Sequence, residues 1–322
     1  MRIATALALL AFAQQPSGWK DPSPHVTRFI TVGKDLRLEV LDWGGSGRAV
    51  VLLAGGGDTA HVFDDFAPKL ARDFHVYGIT RRGFGQSGFV PASGADAYGD
   101  DVLAVTSALA LNRPVLVGHS VGGQELSSVA TRYPSRIAGL VYLEAAYPYA
   151  VDNGTGPTLD DMQNLRPPQP PPPSESEAAS FPALQQYFSR VLGFTYPEAE
   201  LRQQRPVTPD GRVGKPRDFP GYATLIAGTK KFGDIRVPAL VVFASPHGFG
   251  SWVDDNADPA IRRQAAAHSA ASEPLVERQI KVAEASIPRA RIVRLRGANH
   301  YVYLSNEADV IREMRVFVRG LP

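Results

Sequence analysis

The chain has no cysteine among its 322 residues. Disulfides, thiolate metal sites and thiol catalysis are thereby excluded. The compartment stays open, because a domain of this length buries a core without covalent staples. There is also no block of like charge: 34 basic residues stand against 32 acidic ones, with both signs spread along the chain. That pattern excludes a nucleic-acid footprint and an acidic tail. Beyond the N-terminus no segment approaches the ~20 apolar residues that a membrane span needs. The glycine-rich "RRGFGQSG" (81–88) lacks the G-x-x-x-x-G-K-[ST] pattern, so it is not a phosphate loop.

What is present is 44% apolar and 20% charged, a globular profile fitting one large domain or a domain plus an insertion. The opening "MRIATALALLAFAQQPSGW" sets Arg2 before an apolar run to Ala13, with Ala11-Phe12-Ala13 as a small-x-small cleavage site. It reads as a signal peptide over residues 1–13 and predicts a secreted or periplasmic chain starting near Gln14. The run is too short to span a bilayer, so no integral membrane segment is expected after its removal.

Strand and helix signals then alternate. "RFITVGKDLRLEVLDWGGSG" (28–47) reads as two strands about a Gly-Lys-Asp turn. "AVVLLAGGG", "FHVYGIT", "PVLVG" and "IAGLVYLEA" are short apolar runs, as strands buried on both faces require. Between them "DTAHVFDDFAPKLARD", residues 100–111 and "VGGQELSSVATRY" carry helical spacing. The rhythm breaks near residue 148, where "RPPQPPPPSESE" (166–177) excludes core strand and helix interior. It resumes at "VPALVVFA", then a long helix over about 257–285, the strand "ARIVRLRGANH" and a last helix over 307–318. The fold class is α/β, a mostly parallel doubly wound sheet. Residues 14–147 and 234–322 form the core, and 148–233 are an inserted, proline-rich helical cap.

Gly118-His119-Ser120-Val121-Gly122 matches G-x-S-x-G between a strand and a helix. A sharp strand-to-helix turn strains the serine backbone and lifts its hydroxyl above the sheet, and side chains at 118 and 122 would collide there. Ser120 is the candidate nucleophile, and it needs a base in hydrogen-bond reach. His300 follows a strand and precedes the final helix, at the carboxyl edge where sites collect in such sheets. His119 points away from its neighbour and reads as packing. His25, His61, His75, His247 and His268 follow no metal-ligand spacing. Neither a metal nor a cofactor is expected.

The chain resembles the α/β-hydrolase-fold family over nearly all of its predicted mature length. The resemblance rests on "GHSVGG", on "LLAGGGDTAHVF", on "RRGFGQSG" and on "GANHYVYLSNEADV". It implies a triad in the order serine, acid, histidine. Two departures stand out. Where many relatives carry aspartate after the strand "VPALVVFA", this chain has "SPHGFGSWVDDNAD", with His247 near that place. The other acid position known in the fold gives Glu144, at the end of "LVYLEAAYP"; Asp255 or Asp254 is the alternative. The early loop reads Ala54-Gly55-Gly56-Gly57 rather than His-Gly, which costs no chemistry because oxyanion donors are backbone N–H groups. The resemblance assigns those of Gly56 and Val121. Arg81 and Arg82 read as structural ion pairs, with contact to an anionic substrate group as the alternative. Tyr147, Tyr149, Phe181, Tyr187 and Phe188 are candidates for an apolar pocket lining or for core.

The expected function is hydrolysis of an ester or related acyl compound, a small-molecule substrate, through an acyl-enzyme. Alternatives on the same fold are C–C bond hydrolysis, peptidase or amidase action, acyl transfer and perhydrolysis, or a non-catalytic ligand-binding role. The sequence leaves the oligomeric state open.

Overall fold

The computed structural model describes residues 18–92, 94–165, 167–227, 230–256 and 258–322. The signal-peptide reading of residues 1–13 lies outside them. Eight strands form one sheet in the order β1-β2-β4-β3-β5-β6-β7-β8. They are β1 (Val26–Gly33), β2 (Leu36–Gly44), β3 (Ala49–Leu53), β4 (His75–Ile79), β5 (Val115–His119), β6 (Gly139–Leu143), β7 (Ala239–Ala244) and β8 (Ala290–Leu295). The first two pair antiparallel about the expected turn, and β2 pairs antiparallel with β4. Every pairing from β4 to β8 is parallel.

Alternation along the central strands sorts the core into two layers. Leu52, Val117, Val141 and Val242 face one layer, packed against Phe63, Phe66 and the last helix. Their neighbours Val51, Leu53, Leu116, Leu140 and Val241 face the other, against Leu126, Val129 and Ile280. Burial on both faces is what continuous β-branched runs encode. Each such side chain contributes roughly 1.5–3 kcal/mol on leaving water.

The helices are α1 (Ala67–Leu70), α2 (Ala95–Ala108), α3 (Gly122–Arg132), α4 (Leu159–Gln163), α5 (Phe181–Leu192), α6 (Glu198–Gln204), α7 (Gly221–Ala227), α8 (Ser251–Asp254), α9 (Pro259–Ser286), α10 (Val302–Ser305) and α11 (Glu307–Arg319). One expectation is corrected. "DTAHVFDDFAPKLARD" is not a single helix but a 3-10 turn, Ala60–Phe63, followed by the four-residue α1. Thr59 caps the turn through its side chain, and Pro68 starts a new helix because it has no N–H to continue the old one.

Among the described residues, four helices, α4 to α7, stand between β6 and β7, where the insertion was expected. Within the proline-rich stretch, residues 167–174 adopt neither helix nor strand. Arg166 lies outside the described residues. Phe181 and Tyr187 are core rather than pocket lining, and Phe188 packs against that core.

Candidate active site

Strand β5 ends at His119, and the next residue takes φ +50. That left-handed backbone is costly for a residue with a side chain and persists only where surroundings enforce it. Here they do. Ser120 N–H still reaches Leu143 O at 3.2 Å, while the chain turns at once into α3. A Cβ on Gly118 would lie 2.8 Å from the Gly122 backbone, and one on Gly122 would lie 2.9 Å from Leu53 O. Glycine is therefore required at both positions.

Strand β6 repeats the device one strand over. Glu144 follows Leu143 with φ +50 and is 1% exposed. Its N–H reaches Val242 O at 2.9 Å. The reversed backbone sends the carboxylate across the end of β7, where the Ala244 N–H donates to Oε1 at 2.6 Å. The Tyr147 hydroxyl donates to both oxygens at 3.1 Å. Nδ1 of His300 faces Oε2 at 3.4 Å. Burial and the Glu144 charge push the Tyr147 hydroxyl well up, so it remains a donor. Tyr149 is pushed up by burial in the same way, and its hydroxyl donates to Glu144 O at 3.4 Å.

His300 joins this group from the loop after β8, its side chain 38% exposed. The loop is tied to the neighbour of the serine: the buried His119 ring donates from Nε2 to His300 O at 3.0 Å. A proton on Nε2 leaves Nδ1 bare, and Nδ1 is indeed buried without a partner. Burial and the nearby His300 hold the His119 pKa well below the usual range, which keeps the ring neutral. His119 also underlies the glycine loop, since a Cβ on Gly55 would lie 2.8 Å from its Nδ1. The expectation that it merely packs is thus too small: one ring fixes the serine turn, the glycine loop and the His300 loop. No hydrogen bond joins Ser120 Oγ to His300 among the described residues; such bonds are often loose before substrate binds.

The alternative acids do not reach this place. Asp254 closes α8 and Asp255 caps it; both are exposed, and no ion pair joins either to His300. His247 does reach it, with one donor atom within 4.8 Å of those of Glu144 and His300. Burial lowers its pKa.

Gly56 and Val121 are adjacent, a Cβ on Gly56 lying 3.4 Å from Val121 Cγ2. The N–H groups of both residues are left without an intramolecular acceptor among the described residues. Arg81 organises the loop. It pairs with Glu125 of α3, and its NH2 and NH1 donate to Ala54 O at 2.8 Å and Gly55 O at 3.2 Å. Arg82 pairs with Asp101. The ion-pair reading of both arginines holds; the glycine-loop contact of Arg81 had no local signal in the sequence.

The insertion meets the site along the segment after the glycines. Tyr196 and Gln204 donate to Asp58 Oδ1 at 2.7 and 2.9 Å, and Tyr301, beside His300, donates to Oδ2 at 3.2 Å. Glu200 of α6 accepts from Thr59 N at 3.0 Å and also contacts the Thr59 hydroxyl. Burial and the neighbouring Asp58 carboxyl push Glu200 up to about 8.

Serine, histidine and a buried carboxylate at the carboxyl edge of a parallel sheet define the class as α/β proteins with a hydrolase-type site. The chain belongs to the alpha/beta hydrolase family, whose profile matches residues 50–313. It is similar to the bifunctional esterase/perhydrolase DCH of Acinetobacter calcoaceticus, 31% identical over 148 residues, 42% of this chain and 53% of the relative. It is also similar to a non-heme chloroperoxidase of Streptomyces lividans, 35% identical over 133 residues, 40% of this chain and 48% of the relative. The chain thus spans about half the length of these curated relatives. The solved structure of E-2-(acetamidomethylene)succinate hydrolase superposes with a TM-score of 0.63 at 18% identity, covering 92% of this chain and all of the other, and shares the fold.

Proposed function

We propose that the protein is a serine hydrolase that cleaves an ester or related acyl compound through an acyl-enzyme. The observation that carries this reading is the pair of φ +50 residues, Ser120 and Glu144, at the ends of adjacent strands, with Glu144 facing His300. Such strain gathers where function needs a side chain aimed.

His300 takes the Ser120 proton as Oγ attacks the substrate carbonyl. The C–O⁻ of the tetrahedral intermediate is held by the Gly56 and Val121 N–H groups; one such donor supplies about 2.7–4 kcal/mol. His300 returns the proton to the leaving group. Water, deprotonated by His300, then attacks the acyl-serine, and the acid departs with Ser120 restored. Glu144 orients the imidazole and stabilises its charged form. Residues 148–233 serve as a cap that sets specificity. Residues 1–13 direct export; secreted protein still bearing Met1 would end that reading.

The two curated relatives named above favour a second reading of the same intermediate, in which hydrogen peroxide replaces water and a peracid leaves. A fluorophosphonate probe should label the wild type and not Ser120→Ala. A panel of p-nitrophenyl esters, with and without peroxide, distinguishes the two acceptors. Equal labelling of Ser120→Ala would sink both readings.

A further inference from the structure

We propose that Asp21, His25, His61 and Asp64 bind one divalent transition-metal ion of the zinc type, which fastens the segment before β1 to the sheet. The cluster lies outside the candidate active site and departs from the sequence expectation of no metal. One donor atom from each residue lies within 4.8 Å of the others. Nδ1 of His61 is 3.3 Å from Asp21 Oδ2 and 2.8 Å from Asp64 Oδ2; His25 is 2.9 Å from Asp64 Oδ1 through Nδ1 and 3.9 Å from Asp21 Oδ2 through Nε2. Tetrahedral zinc bonds of about 2.0–2.2 Å separate neighbouring donor atoms by roughly 3.3 Å. With one donor atom taken from each residue, the four lie within 4.8 Å of one another, so the set must draw in by up to about 1.5 Å to close on the ion.

Charge balance points the same way. The side chains of His25, His61 and Asp64 are 4–6% exposed and that of Asp21 is 22% exposed. Glu39, on β2, is fully buried and adds a third carboxylate 3.7 Å from His61 Nε2. Among the described residues, no lysine or arginine forms an ion pair with Asp21, Asp64 or Glu39. Buried carboxylates need a cation close by.

The surroundings of the donors favour a metal over a bare network of hydrogen bonds. Glu39 Oε1 and His61 Nε2 are both buried without a hydrogen-bond partner, and they face each other. With Nδ1 on a metal, the His61 proton must sit on Nε2, aimed at Glu39. That is the carboxylate–histidine–metal arrangement that orients a ligating ring. Trp43 Nε1 donates to Asp64 Oδ1 at 3.2 Å and to Ser23 Oγ at 3.0 Å, and Ser23 N–H donates to Asp21 Oδ1 at 2.9 Å. Two imidazole nitrogens with two carboxylate oxygens suit zinc rather than calcium or magnesium, which take oxygen donors. The rival occupant is a pair of protons, one on each histidine.

The test uses the purified full chain, stripped with EDTA, dialysed and titrated with zinc chloride, reading bound zinc and the unfolding temperature. One zinc per chain and a rise of about 5 °C or more are expected. Asp21→Asn, at the most exposed donor, and His25→Gln should each bind at least tenfold more weakly and lose the rise. His300→Ala, which removes a donor from the Glu144–His247–His300 group, should keep both. A wild type that takes up no zinc overturns the proposal and leaves the pocket to protons. So does zinc uptake that survives Asp21→Asn and His25→Gln, or that vanishes in His300→Ala alone. If His25→Gln fails to fold, Asp21→Asn decides by itself.

Discussion

Two buried glutamates sit at the two seams of this molecule. Glu144 lies where β6 and β7 end, and Glu200 lies where the insertion meets the loop after β3. They are 1% and 0% exposed. Each accepts a backbone N–H, from Ala244 at 2.6 Å and from Thr59 at 3.0 Å, and each accepts side-chain hydrogen bonds besides. What differs is the group opposite. Glu144 faces the His300 imidazole, whereas Glu200 faces the carboxyl of Asp58 and is pushed up to about 8. Burial raises Glu200 first, and the Asp58 carboxyl opposite it raises it further.

The largest effect expected from breaking this contrast is at Glu144. Glu144→Gln keeps the shape but not the charge, and kcat on a p-nitrophenyl ester should fall about 10⁴-fold, as for an orienting acid in such triads. Asp254→Asn and Asp255→Asn should stay within about twofold, because neither carboxylate touches His300. A large loss in either aspartate variant with a small one in Glu144→Gln would reverse the assignment.

A smaller effect sharpens the same comparison. Glu144 comes from β6, yet its carboxylate takes the last N–H of β7. The acid site is therefore a location beside His300 Nδ1 rather than a property of one strand. His247, after β7, already brings a donor atom to that location. Adding His247→Asp to Glu144→Gln should recover at least about tenfold of the lost kcat, since a charged carboxylate returns to the imidazole. No recovery, in a double variant with an unchanged unfolding temperature, would mean that only the β6 turn can aim an acid.

The sheet was legible for a local reason. Runs such as Val115–Val117 and Ala239–Ala244 are apolar on both alternating faces, and their shortness, β-branched content and flanking glycine or proline favour a buried strand over a helix. The turn that carries Ser120 was legible because its flanking glycines are dictated within five residues. The carboxylate beside His300 was only half legible: Glu144 and Asp255 both lie beyond strand ends, and only tertiary distance to His300 separates them. His119 was underread, because its contact is to the backbone of a residue 181 positions away. The Asp21–His25–His61–Asp64 cluster was missed for the same reason. Its two pairs are short-spaced, but the strands β1 to β3 that bring them together lie between.

The smallest effect concerns Glu200, and its sign follows from linkage. Burial and Asp58 raise its folded pKa from 4.5 to about 8; Thr59 hydrogen bonds only partly oppose this. The folded state thus holds a proton that the unfolded chain releases. The stability this gives is complete below about pH 4.5 and is lost as pH rises through about 8. Asp58, itself raised by burial against the opposing hydrogen bonds of Tyr196 and Tyr301, adds a contribution of the same sign. Glu200→Gln mimics the protonated form at every pH. It should match the wild-type unfolding temperature near pH 5 and exceed it by about 3 °C or more at pH 9. Ester hydrolysis at pH 7 should change by less than about threefold, because Glu200 touches Thr59 rather than the serine turn. Equal melting curves across that range would place a charged carboxylate at Glu200 after all, and the contrast with Glu144 would then rest on position alone.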